Sequence, residues 1–179
     1  MKTLIELNQI ERQLILYDVF ISLEEVTYGD IRFALPKVEK RTLQRDIKDL
    51  KDAGLICVSY SKERKAYIHL EMEQEENESK NINEKDGISK KKKQHLVRLQ
   101  RVAKCMRLTG SANPIEDYFE LFPEASERMR QRDFETLRHI GLEAGYDRDY
   151  QEYVITQDYV SAYDGYGVFI KDGKMMRRL

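Results

Sequence analysis

Residues 36–67, PKVEKRTLQRDIKDLKDAGLICVSYSKERKAY, read as a basic helix that stops at a glycine and runs into a hairpin. Leu43, Ile47 and Leu50 recur at i, i+4 and i+7, an apolar stripe of helical period, and Lys40, Arg41, Gln44, Arg45 and Lys48 fall largely on the other side. One face is expected to pack and the other to meet solvent or phosphate. Asp46 follows the stripe more closely than the basic face, so it and Thr42 are read as structural. Gly54 stands where a left-handed residue would end the helix. Leu55 to Val58 then supplies an apolar strand, Ser61 to Lys65 a polar turn, and Ala66 to Leu70 the return strand.

Upstream, Ile10, Leu14, Tyr17 and Ile21 recur at helical spacing, with Glu11 and Arg12 expected on the wet side. Thr27 is the expected N-cap of a short helix that contains Ile31 and Leu35 and ends before Pro36, because proline disfavours helical geometry in the residue before it. Three helices and a hairpin within 1–71 predict a winged helix-turn-helix domain.

Beyond Leu70 a run of glutamates gives way to Asn and Ser and then to Lys90, Lys91, Lys92 and Lys93. No apolar period survives there, so 72–93 reads as a charged flexible linker, the lysines being a solvated start to the next helix in preference to a nucleic-acid tether. About 20 such residues would span roughly 25 Å r.m.s., against roughly 34 Å between half-sites one turn of B-DNA apart.

From Leu96 the helical period resumes through Leu99, Val102 or Ala103 and Met106, opening a second domain over 94–179. A shift of 87 positions aligns Gln13 with Gln100, Asp30 with Asp117, Pro36 with Pro123, and Gln44-Arg45-Asp46 with Gln131-Arg132-Asp133. It also aligns Leu50 with Leu137 and Gly54-Leu55 with Gly141-Leu142, and dropping one residue superposes Tyr60 on Tyr146 and Tyr67 on Tyr153. The chain is therefore an internal repeat, and the expected fold class is mainly α with small β-hairpins (α+β), as tandem winged helix-turn-helix domains.

The two copies differ. Arg130 replaces Leu43, leaving Met129 to fill the core from the neighbouring position. The first hairpin turn carries Lys62, Arg64 and Lys65 against Glu63, whereas the second carries Asp147, Asp149 and Glu152 against Arg148, which makes it a poor partner for phosphates. In the tail, Val168 to Ile170 reads as a strand entering a tight turn over 171–174. Six tyrosines between Tyr146 and Tyr166 are expected to form a packing surface or a homodimer interface in preference to a stacking platform for unpaired bases.

The 179 residues are 41% hydrophobic with a net charge of −1, so DNA affinity, if present, must come from local concentration of positive charge. Cys57 and Cys105 lack metal-ligand spacing and are expected as thiols of a reducing compartment. No run approaches the roughly 20 apolar residues of a membrane span, so a cytoplasmic chain without membrane contact is expected. There is no phosphate-binding glycine loop, nucleophile elbow or metal cluster, and His69, His95 and His139 are scattered. Neither catalysis nor a cofactor is expected.

Arg41-Thr42-Leu43-Gln44-Arg45-Asp46-Ile47, followed by Leu50 and Ala53-Gly54-Leu55, resembles the recognition-helix signature of DeoR-like and WYL-associated bacterial transcription regulators. The second copy, through Arg132-Asp133-Phe134, Leu137 and Gly141, is similar to the same family. The resemblance implies a winged helix-turn-helix that binds double-stranded DNA and regulates transcription. Such regulators continue into a large ligand-sensing domain, which the 24 residues after Ile155 are too few to build.

On this reading Lys40, Arg41, Gln44 and Arg45 reach base edges in the major groove, while Lys37, Lys48, Lys62, Arg64 and Lys65 hold phosphates. Arg128, Gln131 and Arg132 are the corresponding candidates in the second copy. The competing class is a tandem winged-helix adaptor of the chromosome-segregation or complex-assembly type, favoured by the near-zero net charge, the acidic second turn and the tyrosine-rich end.

Overall fold

A computed structural model describes residues 7–70, 82, 87–108, 113–147, 152–157, 168–171 and 174–177, with backbone alone at 107 and from 142 onward. The chain is mostly helical with small antiparallel sheets, an α+β arrangement, and divides into two compact units, one ending at Arg101 and the other beginning at Val102.

The first unit is built on α1 (Gln9–Ser22), whose residues Leu14, Leu16, Val19 and Phe20 are fully buried. Glu11, expected on a wet side, is buried too, and Arg12 is half-buried in an ion pair with Asp46. The run Leu14 to Phe20 is apolar all round except at Asp18, and a helix of that kind is enclosed rather than amphipathic. Asn8 caps α1 by accepting from the Glu11 backbone N–H (3.0 Å) while the Glu11 carboxylate accepts from the Asn8 N–H (2.8 Å), a capping box.

A second capping box, Thr27 with Asp30, starts α2 (Tyr28–Ala34), as the sequence predicts; Ile31 and Leu35 are buried, and the helix closes before Pro36. The Arg32 guanidinium donates to the Val38 carbonyl (2.6 Å) and so holds the turn into α3 (Lys40–Asp52).

Leu43, Ile47 and Leu50 of α3 are buried as expected. Gly54 then adopts φ +69°, where a Cβ would be strained, and the Gly54 N–H donates to the Lys51 carbonyl (2.9 Å) and the Leu55 N–H to the Leu50 carbonyl (3.0 Å). These two bonds are a Schellman closure. Because that closure engages Leu55, the strand β2 runs over Val58–Ser61 rather than from Leu55.

The return strand β3 (Ala66–His69) pairs antiparallel with β2, placing Tyr60 opposite Tyr67 with ring centroids 5.2 Å apart, edge to face. The expected two-stranded hairpin is in fact a three-stranded sheet, since β1 (Glu25–Thr27) joins the other edge of β3 in the order β1-β3-β2.

α4 spans Lys90–Cys105, so the four lysines placed at the end of the 72–93 linker are its first turn. They are not simply solvated: Lys92 pairs with the buried carboxylate of Asp49 on α3, and His95 Nε2 lies 2.9 Å from the Gln13 Oε1 of α1. The Gln100 amide donates to the Ala53 carbonyl (2.5 Å). The division between units falls inside α4, after Arg101. Residues 71–81 and 83–86, most of the expected linker, lie outside the described residues.

In the second unit α5 (Pro114–Leu121) and α6 (Glu127–His139) precede a hairpin of β4 (Leu142–Asp147) and β5 (Glu152–Gln157). The bounds of α6, 127 and 139, stand 87 positions after the bounds of α3, 40 and 52. Gly141 ends α6 with φ +99°, as Gly54 ends α3. Tyr146 faces Tyr153 across the hairpin, the register of Tyr60 and Tyr67.

Arg130 departs from the expectation. Met129 is only half-buried, and Arg130 itself is buried, with its guanidinium bound to Glu127 and 5.2 Å from the Phe134 ring centroid. In the 87-position register a buried arginine thus stands where the first unit has the buried Leu43. In the tail, β6 (Val168–Lys171) contains the expected strand and pairs antiparallel with β7 (Lys174–Arg177), with Lys171 and Lys174 in the strands rather than the turn.

Burial holds the His95 imidazole below its usual pKa, outweighing the opposing pull of Asp49. The unfolded chain therefore takes up this proton more readily than the folded one, and stability is lost as pH falls through and below about 6.5. His95→Gln, whose amide retains a donor for Gln13, should flatten the pH dependence of the urea midpoint in that window. An unchanged dependence would assign it to other groups.

Candidate nucleic-acid interface

α3 carries five cations and three aspartates, and the fold sorts them by face. Lys40, Arg41, Gln44, Arg45 and Lys48 are all exposed, whereas Asp46 and Asp49 are buried. Asp46 accepts from the Arg12 Nε (3.0 Å) and the Gln13 Nε2 (3.2 Å). Asp49 accepts from the Gln9 and Gln13 amides, both at 3.0 Å, and from Lys92. Two carboxylates that would otherwise neutralise the helix are turned inward and satisfied there. The outer face is left positive.

Burial raises the Asp46 pKa above the usual carboxylate range, against the pull of Arg12. For this group the sign is opposite to that of His95: the folded state gains stability as pH falls through the raised pKa, because it binds the proton more tightly than the unfolded chain.

The turn between β2 and β3 exposes Lys62, Arg64 and Lys65. Arg64 Nη1 lies 3.4 Å from Glu25 Oε2, an exposed pair of small energetic consequence that nonetheless offsets one of the three charges. Lys65 takes φ 55°, the left-handed geometry that lets the tight turn close. Lys37 is exposed in the turn leading into α3. The residues predicted for the first copy thus all face solvent, five of them on one helix.

Arg128, Gln131 and Arg132 are exposed on α6 of the second unit. Their surroundings differ: the Gln131 amide donates to Glu127 (3.1 Å), which also holds Arg130. The buried Asp133 matches Asp46 in position, but its partner is the Tyr118 hydroxyl (3.0 Å). The side chains of the acidic second turn and of the tyrosines at 146–166, on which the homodimer expectation rests, lie outside the described residues.

Sequence reasoning missed Arg12, Gln9 and Gln13 as the groups that hold α3's carboxylates, and Glu25 as a partner of the turn. Among the described residues no group of three or more His, Cys, Asp or Glu is placed to hold a metal ion, Cys57 and Cys105 form no disulfide, and no helix is long and apolar enough to cross a membrane. Comparison of the chain with protein-family models, curated proteins and solved structures found no match.

Asp46→Ala would remove the carboxylate that pairs with the largely buried Arg12 guanidinium and leave its Nε without that acceptor, while the Gln13 amide keeps Asp49. It should cost about 3 kcal/mol in a denaturant titration, whereas Arg45→Ala on the exposed face should stay within about 0.5 kcal/mol. Equal losses would contradict the inward and outward division of α3.

Proposed function

We propose that the chain is a sequence-specific duplex DNA-binding protein that regulates transcription, with each unit a winged helix-turn-helix and the first unit the principal reader. The observation that carries this reading is the exposed cationic face of α3, from which the helix's two inner carboxylates are withdrawn. Its order of elements, a helix pair leading into α3 and then a β2–β3 hairpin with a cationic turn, is the arrangement in which a recognition helix enters the major groove and the hairpin lies on the backbone. The major groove is wide enough for a helix, Arg can take guanine O6 and N7, and Gln44 can take adenine N6 and N7. Lys37, Lys48, Lys62 and Lys65 would hold phosphates and fix the register without carrying sequence information.

The second unit supports a different role. Glu127 accepts from the Gln131 amide at the start of α6, so one of that unit's three candidate groups is already engaged. Docking to a partner protein is the reading for that unit, and no catalysis is assigned to either.

A salt titration of binding to random duplex tests the proposal. The logarithm of affinity should fall linearly with the logarithm of salt concentration. Lys48→Ala should reduce the slope by about one, and Arg41→Ala/Arg45→Ala should weaken binding more than Arg128→Ala/Arg132→Ala. Binding that is undetectable at low salt, or flat in salt and indifferent to Arg41 and Arg45, would replace DNA by the adaptor function.

A further inference from the structure

Beside the cationic face, the first unit holds a concavity of about 360 Å³ between α2, α3 and the β2–β3 hairpin. The buried side chains of Ile31, Leu43 and Ile47 reach its lining from the core, and Tyr28, Tyr60 and Tyr67 contribute three aromatic rings. Its polar groups are few: the Gln44 amide, the tyrosine hydroxyls and Lys40, the one formally charged residue of the lining. The Lys40 ammonium lies 5.6 Å from the centroid of the Tyr28 ring, and Lys40 makes no ion pair among the described residues. Tyr60, with 52% of its surface exposed, and Tyr28, with 40%, are large apolar groups that folding leaves uncovered.

We infer that this concavity is a binding site for a small, flat aromatic carboxylate. The volume lies at the lower end of the range for small-molecule pockets, which are mostly apolar with a few placed polar groups. Rings favour a planar aromatic guest through offset and edge contacts. With no carboxylate in the lining, the single ammonium selects an anion. A guest here would contact Lys40 and Gln44, two of the side chains assigned to DNA, so where the DNA reading holds, ligand and duplex compete. That consequence rests on the proposed function, whereas the site itself does not.

Calorimetric titration of the full chain with 2-naphthoate and with its uncharged counterpart 2-naphthylmethanol, in the absence of DNA, tests the site. The acid should bind saturably and about five-fold more tightly than the alcohol, the scale of an exposed charge pair. In Lys40→Met that preference should vanish, and Tyr60→Ala should weaken both probes by about five-fold. Both residues are exposed, so circular dichroism should show either variant folded. Absence of saturable binding, a preference that survives Lys40→Met, or indifference to Tyr60→Ala overturns the inference. Equal binding of acid and alcohol to the wild type also overturns it, and points instead to an uncharged occupant such as an aromatic side chain of a partner protein. Because no duplex is present, failure here leaves the DNA reading standing, and failure of the salt titration leaves this site standing.

Discussion

The hydrogen bonding of Asp46 and Asp49 inside the first unit is the interaction on which the rest depends. Burying a carboxylate is costly unless it is paired and hydrogen-bonded. Here α1 supplies Arg12 and Gln13 to α3, and α4 supplies Lys92. The same contacts fix the rotation of α3 about its axis. With the carboxylates held inward beside Leu43, Ile47 and Leu50, Lys40, Arg41, Gln44, Arg45 and Lys48 have only the solvent side to occupy.

That constraint links the fold to the proposed chemistry. A helix with five cations and three aspartates distributed evenly would present a weak field. Removing two aspartates to the interior concentrates the positive charge on one face, which explains how a chain of net charge −1 can present a cationic helix face. α6 repeats the geometry with different chemistry: Asp133 is buried against a tyrosine hydroxyl, and Glu127 draws Arg130 and Gln131 into local bonds.

Much of the architecture was legible because its signals are local. Thr27 as a cap, the closure at Gly54, the α3 stripe and the 168–170 strand each follow from a few neighbouring residues. The 87-position repeat was legible because identical residue types recur in register, and the helix bounds and tyrosine pairings recur with them. What escaped was tertiary. Glu11 and Arg12 read as a wet face because a charged residue in isolation carries no sign of its distant partner, and the Arg12 and Asp46 positions are 34 residues apart. The strand at 25–27 is too short to announce itself, and Lys90 to Lys93 looked solvated because the carboxylate that receives Lys92 lies on another helix. The candidate residues were found by charge and period, and their exposure follows from a polar core that those signals do not reveal.

The most direct measurement is a map of backbone amide chemical shifts of the full chain as a short duplex is added at low salt. The account predicts changes concentrated at 37–48 and 62–65, with residues of α1 other than those touching α3 largely unmoved. Absence of change, or change confined to the second unit, would contradict it.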